Sequence, residues 1–456
     1  MNRIGGRAGI CLLLCLLLVG GFGFFVGEYV HKAGSWVLFP GSPHVYSGGN
    51  IGCGTVVDRN GALLLDFSGG RTYAPNELLR RATVHWVGDR NGSISAPALP
   101  YYAPQMVDYD LVNGVYAYGG AGGQAQLTIS SKVQTAALAA MGNYKGTVAV
   151  YNYKTGQIIC AVTTPNFDPD NLPDLSQDAQ DRYEGMYVNR FTQSVYTPGS
   201  IFKIVTLAAA LEEIPDIREK TFRCDGKLQY GADEIVCTGR HGSQNLKTAF
   251  RNSCNCAFAQ IADLLGREKL QQYADKFGIT QPVSFDGITT AEGHFDLKDA
   301  AKVSTAWAAI GQYTDQINPC SFLTFVGAIA GGGRGAQMHL VEQIGTGLFK
   351  SYSAETTFTD LVLSPQTAET IRSYMRYNVE NLYGDENFEG LQVCAKTGTG
   401  EVGGGKKPNA MLTGFVAQEQ LPLAFIVCVE DGGYGAQVCL PIASKVLSAC
   451  REAFLP

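Results

Sequence analysis

The sequence predicts an α+β fold in which one sheet is assembled from both ends of a long domain and covered by helices, behind an N-terminal membrane helix and a small loop-rich module. Three observations predict it. Strand-like apolar runs stand at 147–151 and 157–164 and again at 391–397, 411–416 and 423–429, and mainly helical patterns fill the interval between the two groups. An uncharged run of 20 residues, 8–27, opens the chain. Between that run and about residue 126, short apolar stretches such as 62–65 alternate with Gly, Asn, Asp and Ser clusters.

The composition suits a packed protein. Of 456 residues, 45% are hydrophobic and 17% charged, with 22 Tyr and 22 Phe, enough apolar surface to order the chain. A formal net charge of -6 argues against a nucleic-acid partner held by a general basic field. The 55 Gly follow no G-x-y period and read as tight turns, and no internal repeat is visible.

Each element has a local reason. At 1.5 Å per residue the run 8–27 reaches about 30 Å, one hydrocarbon thickness. Arg3 and Arg7 precede it and Glu28 follows, so the positive-inside rule puts residues 1–7 in the cytoplasm and the rest of the chain outside. The run exceeds the roughly 7–15 residues of a cleaved signal, and residues 28–32 make a poor cleavage site, so the anchor is read as retained. The module spans 28–126, with turn clusters at 47–50, 89–92 and 119–123. From residue 127 the pattern steadies: a helix over 133–141, a hairpin of 147–151 with 157–164 across the turn Lys154-Thr155-Gly156, helices over 204–213, 246–251, 257–265 and 269–277, and a last helix over 440–454.

Thirteen Cys in so long a chain fall below the disulfide-dense regime. Eleven lie beyond the anchor, so at least one cannot pair within the chain. Cys224 and Cys237 bracket a short hairpin, Asp225 to Val236, and read either as a disulfide or as two small buried hydrophobes. With no C-x-x-C, no H-E-x-x-H and six scattered His, a metal enzyme is not expected.

Three short motifs carry chemistry. Ser200 and Lys203, in Thr197-Pro198-Gly199-Ser200-Ile201-Phe202-Lys203, are three apart at the start of a helix, so the amine can reach the hydroxyl. An alcohol is a weak nucleophile, and a lysine kept neutral by burial can take its proton. The plain alternative is a Ser N-cap beside a solvated Lys. Ser253-Cys254-Asn255 sits between two helices, where a hydroxyl and an amide can face a cleft, or simply cap a helix. Lys396-Thr397-Gly398-Thr399 ends an apolar strand, where a cation and hydroxyls can bind a carboxylate at an exposed edge, or merely charge that edge.

In this order and spacing the three motifs are the set of the serine penicillin-recognising enzymes. From about Leu127 to the end the chain resembles the transpeptidase domain of class B penicillin-binding proteins. The likeness extends to Leu127-Thr128-Ile129, Gly146-Thr147-Val148-Ala149-Val150, Asn189-Arg190, Gly311-Gln312 and Gly398-Thr399-Gly400-Glu401. The resemblance implies a five-stranded antiparallel sheet flanked by helices, with a catalytic domain over 127–456. It implies catalytic roles for Ser200 (nucleophile), Lys203 (base), Ser253 (proton relay) and Asn255 (orienting group). Substrate would be bound by Lys396, Thr397, Gly398 and Thr399, with an oxyanion hole from the N–H groups of Ser200 and Thr399. The implied reaction cross-links peptidoglycan stem peptides through a serine acyl-enzyme that beta-lactams also form, with no metal or organic cofactor. The implied partner is a membrane-embedded glycosyltransferase of the shape or division type, since 28–126 is too short for a glycosyltransferase domain of its own.

The module departs from the family pattern: Gly54-Thr55-Val56-Val57-Asp58-Arg59-Asn60-Gly61 resembles its R-G-x-I-x-D-R-N-G segment, with Cys53 in place of the first Arg. Two alternatives use the same motifs: a D,D-carboxypeptidase or beta-lactamase-type hydrolase, and a non-catalytic beta-lactam sensor or scaffold. Against the beta-lactamase stands the lack of any Glu-x-x-x-Asn between Cys256 and Ala395.

Overall fold

The computed structural model of the chain describes residues 2–43, 45–107, 109, 122–178, 181–346 and 349–455. The glycine cluster expected at 119–123 lies partly outside them.

The sheet is the one expected from the two ends of the domain. Five antiparallel strands, β1 (Gly146–Asn152), β2 (Ile158–Thr164), β3 (Val393–Gly400), β4 (Asn409–Val416) and β5 (Leu423–Val429), lie in the order β3-β4-β5-β1-β2. The two groups join where β5 pairs β1, from Leu423 opposite Asn152 to Val429 opposite Gly146. All five are almost wholly buried because helices cover both faces, which explains why they read as continuous apolar runs without alternation. The alternation is present in where the side chains go. Val148, Val150, Leu412, Phe425 and Val427 face one core, together with α1 (Ser131–Met141) and, at the chain end, the helix Gly435–Phe454. Ala149, Tyr151, Met411, Phe415, Ala424 and Ile426 face the other.

Across that second face lie α2 (Lys203–Glu213), α3 (Asn255–Leu265) and α4 (Pro319–Ala330). Helix α2 is buried from Lys203 to Ala210, so its small side chains let it run through the core. The middle of the chain is less uniformly helical than its pattern suggests. Between α2 and α3 stand two two-stranded ribbons, Thr221–Cys224 with Gly242–Asn245 and Lys227–Tyr230 with Asp233–Val236.

The module has a second, six-stranded sheet: Phe349–Ser353, Val341–Thr346, Gln124–Leu127, Thr55–Val57, Leu63–Asp66 and Thr72–Tyr73, in that order. Two of its strands come from deep in the catalytic part of the sequence, and only Thr55–Val57 with Gln124–Leu127 run parallel. Polar anchors fasten the module. Asp286 accepts hydrogen bonds from the Leu340 and Val341 amides (2.6 and 2.9 Å) and from the Tyr102 hydroxyl (2.8 Å). Arg80 grips Asp168 with two bonds of 2.7 Å, and the Trp86 indole donates to the Ala161 carbonyl at 2.7 Å. Asp58, of the Asp-Arg-Asn-Gly turn, accepts from Asn60 and Ala62 within the turn and from Ser131 at the start of α1. Cys53, in place of the family's arginine, is fully buried.

Among the described residues one helix, Asn2–Trp36, is long and apolar enough to cross a membrane, and it contains the run 8–27.

Candidate active site

The first motif begins with a tight turn. Gly199 has φ +53°, and its N–H bonds the Gly311 carbonyl at 2.8 Å. A Cβ there would come within 2.1 Å of the Thr399 carbonyl oxygen, so only glycine lets the turn press against β3. The helical turn Gly199–Phe202 then runs into α2, placing Ser200 and Lys203 on one face as their spacing requires.

The second motif is a junction under backbone strain. The helix Leu246–Arg251 ends, Ser253 turns through φ +50°, and Cys254 caps α3. A non-glycine residue in the left-handed region persists where its surroundings fix it. The third motif lies on β3, whose outer edge is free of the sheet because β3 ends the strand order.

Lys203 Nζ stands at the centre. It lies 3.1 Å from Ser200 Oγ, 3.2 Å from Ser253 Oγ, 2.6 Å from the Ser253 carbonyl and 2.7 Å from Asn255 Oδ1. Lys396 Nζ reaches the same Ser253 Oγ at 3.0 Å and donates to the Thr397 carbonyl at 3.0 Å. Both amines are fully buried, whereas Ser200, Ser253, Thr397 and Thr399 are part-exposed. The side chains of Ser200, Lys203, Ser253, Asn255 and Lys396 thus meet in one hydrogen-bonded cluster, with the two serines part-exposed and the amines behind them.

Burial and proximity set the charge state. Burial pushes the Lys203 amine down from the ordinary lysine value to about 8. Burial, and then the Lys203 charge, push Lys396 well below that ordinary value. Two amines sharing one hydroxyl titrate as a pair, and two full charges there are disfavoured. A neutral Lys203 has two N–H donors and one lone pair. The Ser253 and Asn255 oxygens accept the two donors, which leaves the lone pair for the Ser200 hydroxyl. This geometry can turn an alcohol into a nucleophile.

Three contributors carry no signal of their own among the motifs. Gln312 donates to the Thr399 carbonyl at 3.1 Å and accepts from the Glu401 amide at 3.2 Å, which fixes the end of β3; only the Gly311-Gln312 likeness pointed to it. Tyr383 accepts from the Thr397 amide at 3.1 Å and lies 3.0 Å from Thr397 Oγ1. Thr397 and Thr399 are two apart, so their backbone groups share the outer edge, and Tyr383 occupies it one position before Thr399. The third is Cys254, the middle residue of the second motif. Its sulfur is 3.8 Å from that of Cys237 and accepts from the Ala257 amide at 3.4 Å. Cys224 and Cys237 are both buried and unbonded, and every cysteine is a free thiol. Cys224, Cys237, His241 and Cys254 converge, although they come from positions too far apart in sequence to form a short motif.

Comparison with known proteins agrees with this assembly. The penicillin-binding protein transpeptidase domain model matches residues 146–448. The peptidoglycan D,D-transpeptidase PbpA of Mycolicibacterium smegmatis is 29% identical over 363 residues, 73% of this chain and 73% of the relative. The D,D-transpeptidase domain of a peptidoglycan glycosyltransferase from Eggerthella lenta superposes with a TM-score of 0.74 at 26% identity, over 88% of this chain and 98% of that one. The penicillin G acyl-enzyme complex of penicillin-binding protein A from M. tuberculosis shares the fold, with a TM-score of 0.73 at 23% identity over 87% of this chain and 99% of that one. With more than half of its length inside the family model and its three motifs gathered around one buried amine, the chain belongs to the class B penicillin-binding proteins.

Proposed function

We propose that this protein is a serine D,D-transpeptidase that cross-links peptidoglycan stem peptides and is acylated by beta-lactams. The observation that carries this reading is the position of Lys203 Nζ, 3.1 Å from Ser200 Oγ with its two donors engaged by carbonyl oxygens. In the first half-reaction Ser200 Oγ attacks the carbonyl carbon of the D-Ala-D-Ala bond as its proton passes to Lys203 Nζ. The oxyanion is met by the N–H groups of Ser200 and Thr399, a role supported by the close approach of the Gly199 turn to Thr399. Ser253 Oγ, within hydrogen-bond reach of both amines, passes a proton to the leaving nitrogen and is reprotonated from Lys203. The C–N bond breaks, the terminal D-Ala departs, and an ester on Ser200 remains. An amine of a second stem peptide then attacks the ester, loses its proton through the same groups and releases Ser200. Asn255 orients Lys203, and Lys396, Thr397 and Thr399 bind the substrate carboxylate at the β3 edge, with Gly398 keeping the backbone close.

The same reading places residues 1–7 in the cytoplasm, 8–27 across the membrane, 28–126 as a short pedestal and 127–456 as the catalytic domain outside. Supporting it are Arg3 and Arg7 before the apolar run and Glu28 after it. A membrane-embedded glycosyltransferase supplies the glycan strands.

Mass spectrometry of the full chain after exposure to penicillin tests the function. The expected result is one adduct, on the peptide holding Ser200, that persists for many minutes. An adduct on Ser253 or a cysteine overturns the site, and steady beta-lactam hydrolysis at about 1 per second or faster moves the assignment to a hydrolase.

A further inference from the structure

The two ribbons between α2 and α3 have strands of only four residues, too little sheet to be stable alone. Four ligand-type side chains meet where they join α3. Cys224 ends one strand, Cys237 follows another, His241 precedes a third, and Cys254 caps α3, in the spacing C-x12-C-x3-H-x12-C. Their ligand atoms all lie within 4.8 Å of one another. His241 Nδ1 is 3.5 Å from both Cys224 Sγ and Cys237 Sγ, and Cys237 Sγ is 3.8 Å from Cys254 Sγ. A tetrahedral zinc ion with bonds of about 2.3 Å to sulfur and about 2.0–2.1 Å to nitrogen has edges of about 3.8 Å between sulfurs and about 3.6 Å between sulfur and nitrogen. The closest contacts already have those lengths.

We propose that Cys224, Cys237, His241 and Cys254 bind one zinc ion in a closed structural site. Three sulfurs and one imidazole nitrogen suit a soft tetrahedral ion; calcium and magnesium demand oxygen, and four protein ligands leave no open position for catalysis. Three of the four side chains are buried and the imidazole is half-buried. The Ala257 amide donates to Cys254 Sγ, the kind of outer hydrogen bond that orients a ligand sulfur.

The site fastens the second motif. Cys254 lies between Ser253 and Asn255, and Asn255 Nδ2 donates to the carbonyl of Val236, the residue before Cys237, at 2.9 Å. An ion joining Cys237 to Cys254 therefore ties the ribbon to the backbone on which Ser253 is held at φ +50°. It acts as a positioning device and touches no substrate.

The test uses the full chain, purified in detergent with reductant and without chelator, supplied with zinc and then desalted. Elemental analysis should find about one zinc per chain. Extracting it should make three more thiols reactive and lower the Tm by about 5 °C, reversibly on adding zinc back. His241→Ala and Cys224→Ser should retain at least about tenfold less zinc, while Cys320→Ala, at a buried cysteine outside the set, retains all of it. If Cys224→Ser does not fold, His241→Ala at the half-buried imidazole decides. Zinc below about 0.1 per chain in the wild type, a Cys237–Cys254 disulfide in the native chain, or full retention by His241→Ala overturns the proposal. None of these readouts depends on acylation of Ser200, so the zinc site and the transpeptidase reading stand or fall separately.

Discussion

The cleft and the junction between the module and the catalytic domain both bury charge, and they treat it in opposite ways. At the junction the anchoring charges are answered: Asp286 gathers two amides and a hydroxyl, and Arg80 beside Asp168 holds that carboxyl below the usual carboxylate range. In the cleft, two fully buried amines share the hydroxyl of Ser253, and among the described residues neither has a carboxylate as hydrogen-bond partner. Answered charge stabilises a fold. Unanswered charge lowers the cost of losing a proton, which is what a general base needs. Substitutions in the cleft should therefore change chemistry with little change in stability, and substitutions at the junction should do the reverse.

The largest effect is expected at Ser200. Ser200→Ala should abolish penicillin labelling, a loss of about 10⁶-fold, with a Tm within about 2 °C of wild type. Residual labelling elsewhere would end the comparison, because the cleft would not then be where the chemistry occurs. Lys203→Arg comes next. A permanently charged group cannot serve as base, so acylation should slow by about 10³-fold, measured by rapid-quench labelling.

The third expectation concerns pH. Lys203 has its amine lowered to about 8, so its neutral fraction grows as pH rises and saturates above that value. Second-order acylation should rise about tenfold from pH 6 to 7, bend near pH 8 and level off above it. The charged form is the disfavoured one in the fold, so stability should also rise with pH from about 8 toward the ordinary lysine value, and not fall. A flat profile would remove Lys203 from the base role.

The smallest catalytic effect belongs to the junction. Asp286→Ala leaves two amides and the Tyr102 hydroxyl without their acceptor, at a cost of about 3 kcal/mol by chemical denaturation. Acylation should stay within about twofold of wild type. A large loss of acylation with unchanged stability would reverse the assignment of the two regions.

What could be read from the sequence follows the same division. The five catalytic strands were legible because seven or eight consecutive residues, as in β4 and β5, are buried on both faces and leave an unbroken apolar run. Ser200 and Lys203 stood out because helical spacing ties a hydroxyl to an amine within four residues. The module's sheet was not legible as a unit. Its strands are two to six residues long, and Val341–Thr346 joins Gln124–Leu127 from the far side of the catalytic helices, a pairing no local pattern announces. Tyr383 is invisible for a similar reason: its contact with Thr397 exists only after the helical turn Val379–Tyr383 is packed against β3, and a tyrosine has no spacing rule. The cysteine and histidine set escaped because two of its three intervals hold twelve residues, far from the short knuckle in which sequence reveals a metal site.

The joining of β5 to β1 bears on how the chain can mature. Strand β1 ends at Asn152 and its partner begins at Leu423, so during synthesis nearly the whole catalytic sequence must emerge before the central pair can close. Until then β1 and β2 form a two-stranded apolar hairpin whose edge is open to other chains, the arrangement most prone to aggregate. The strand Gln124–Leu127 waits in the same way for Val341–Thr346. Maturation should therefore be late, the module sheet waiting for Ser353 and the catalytic sheet for Val429. A holding chaperone would find its binding surface at residues 146–164, and a chain truncated before Leu423 should be degraded and not accumulate as a smaller folded protein.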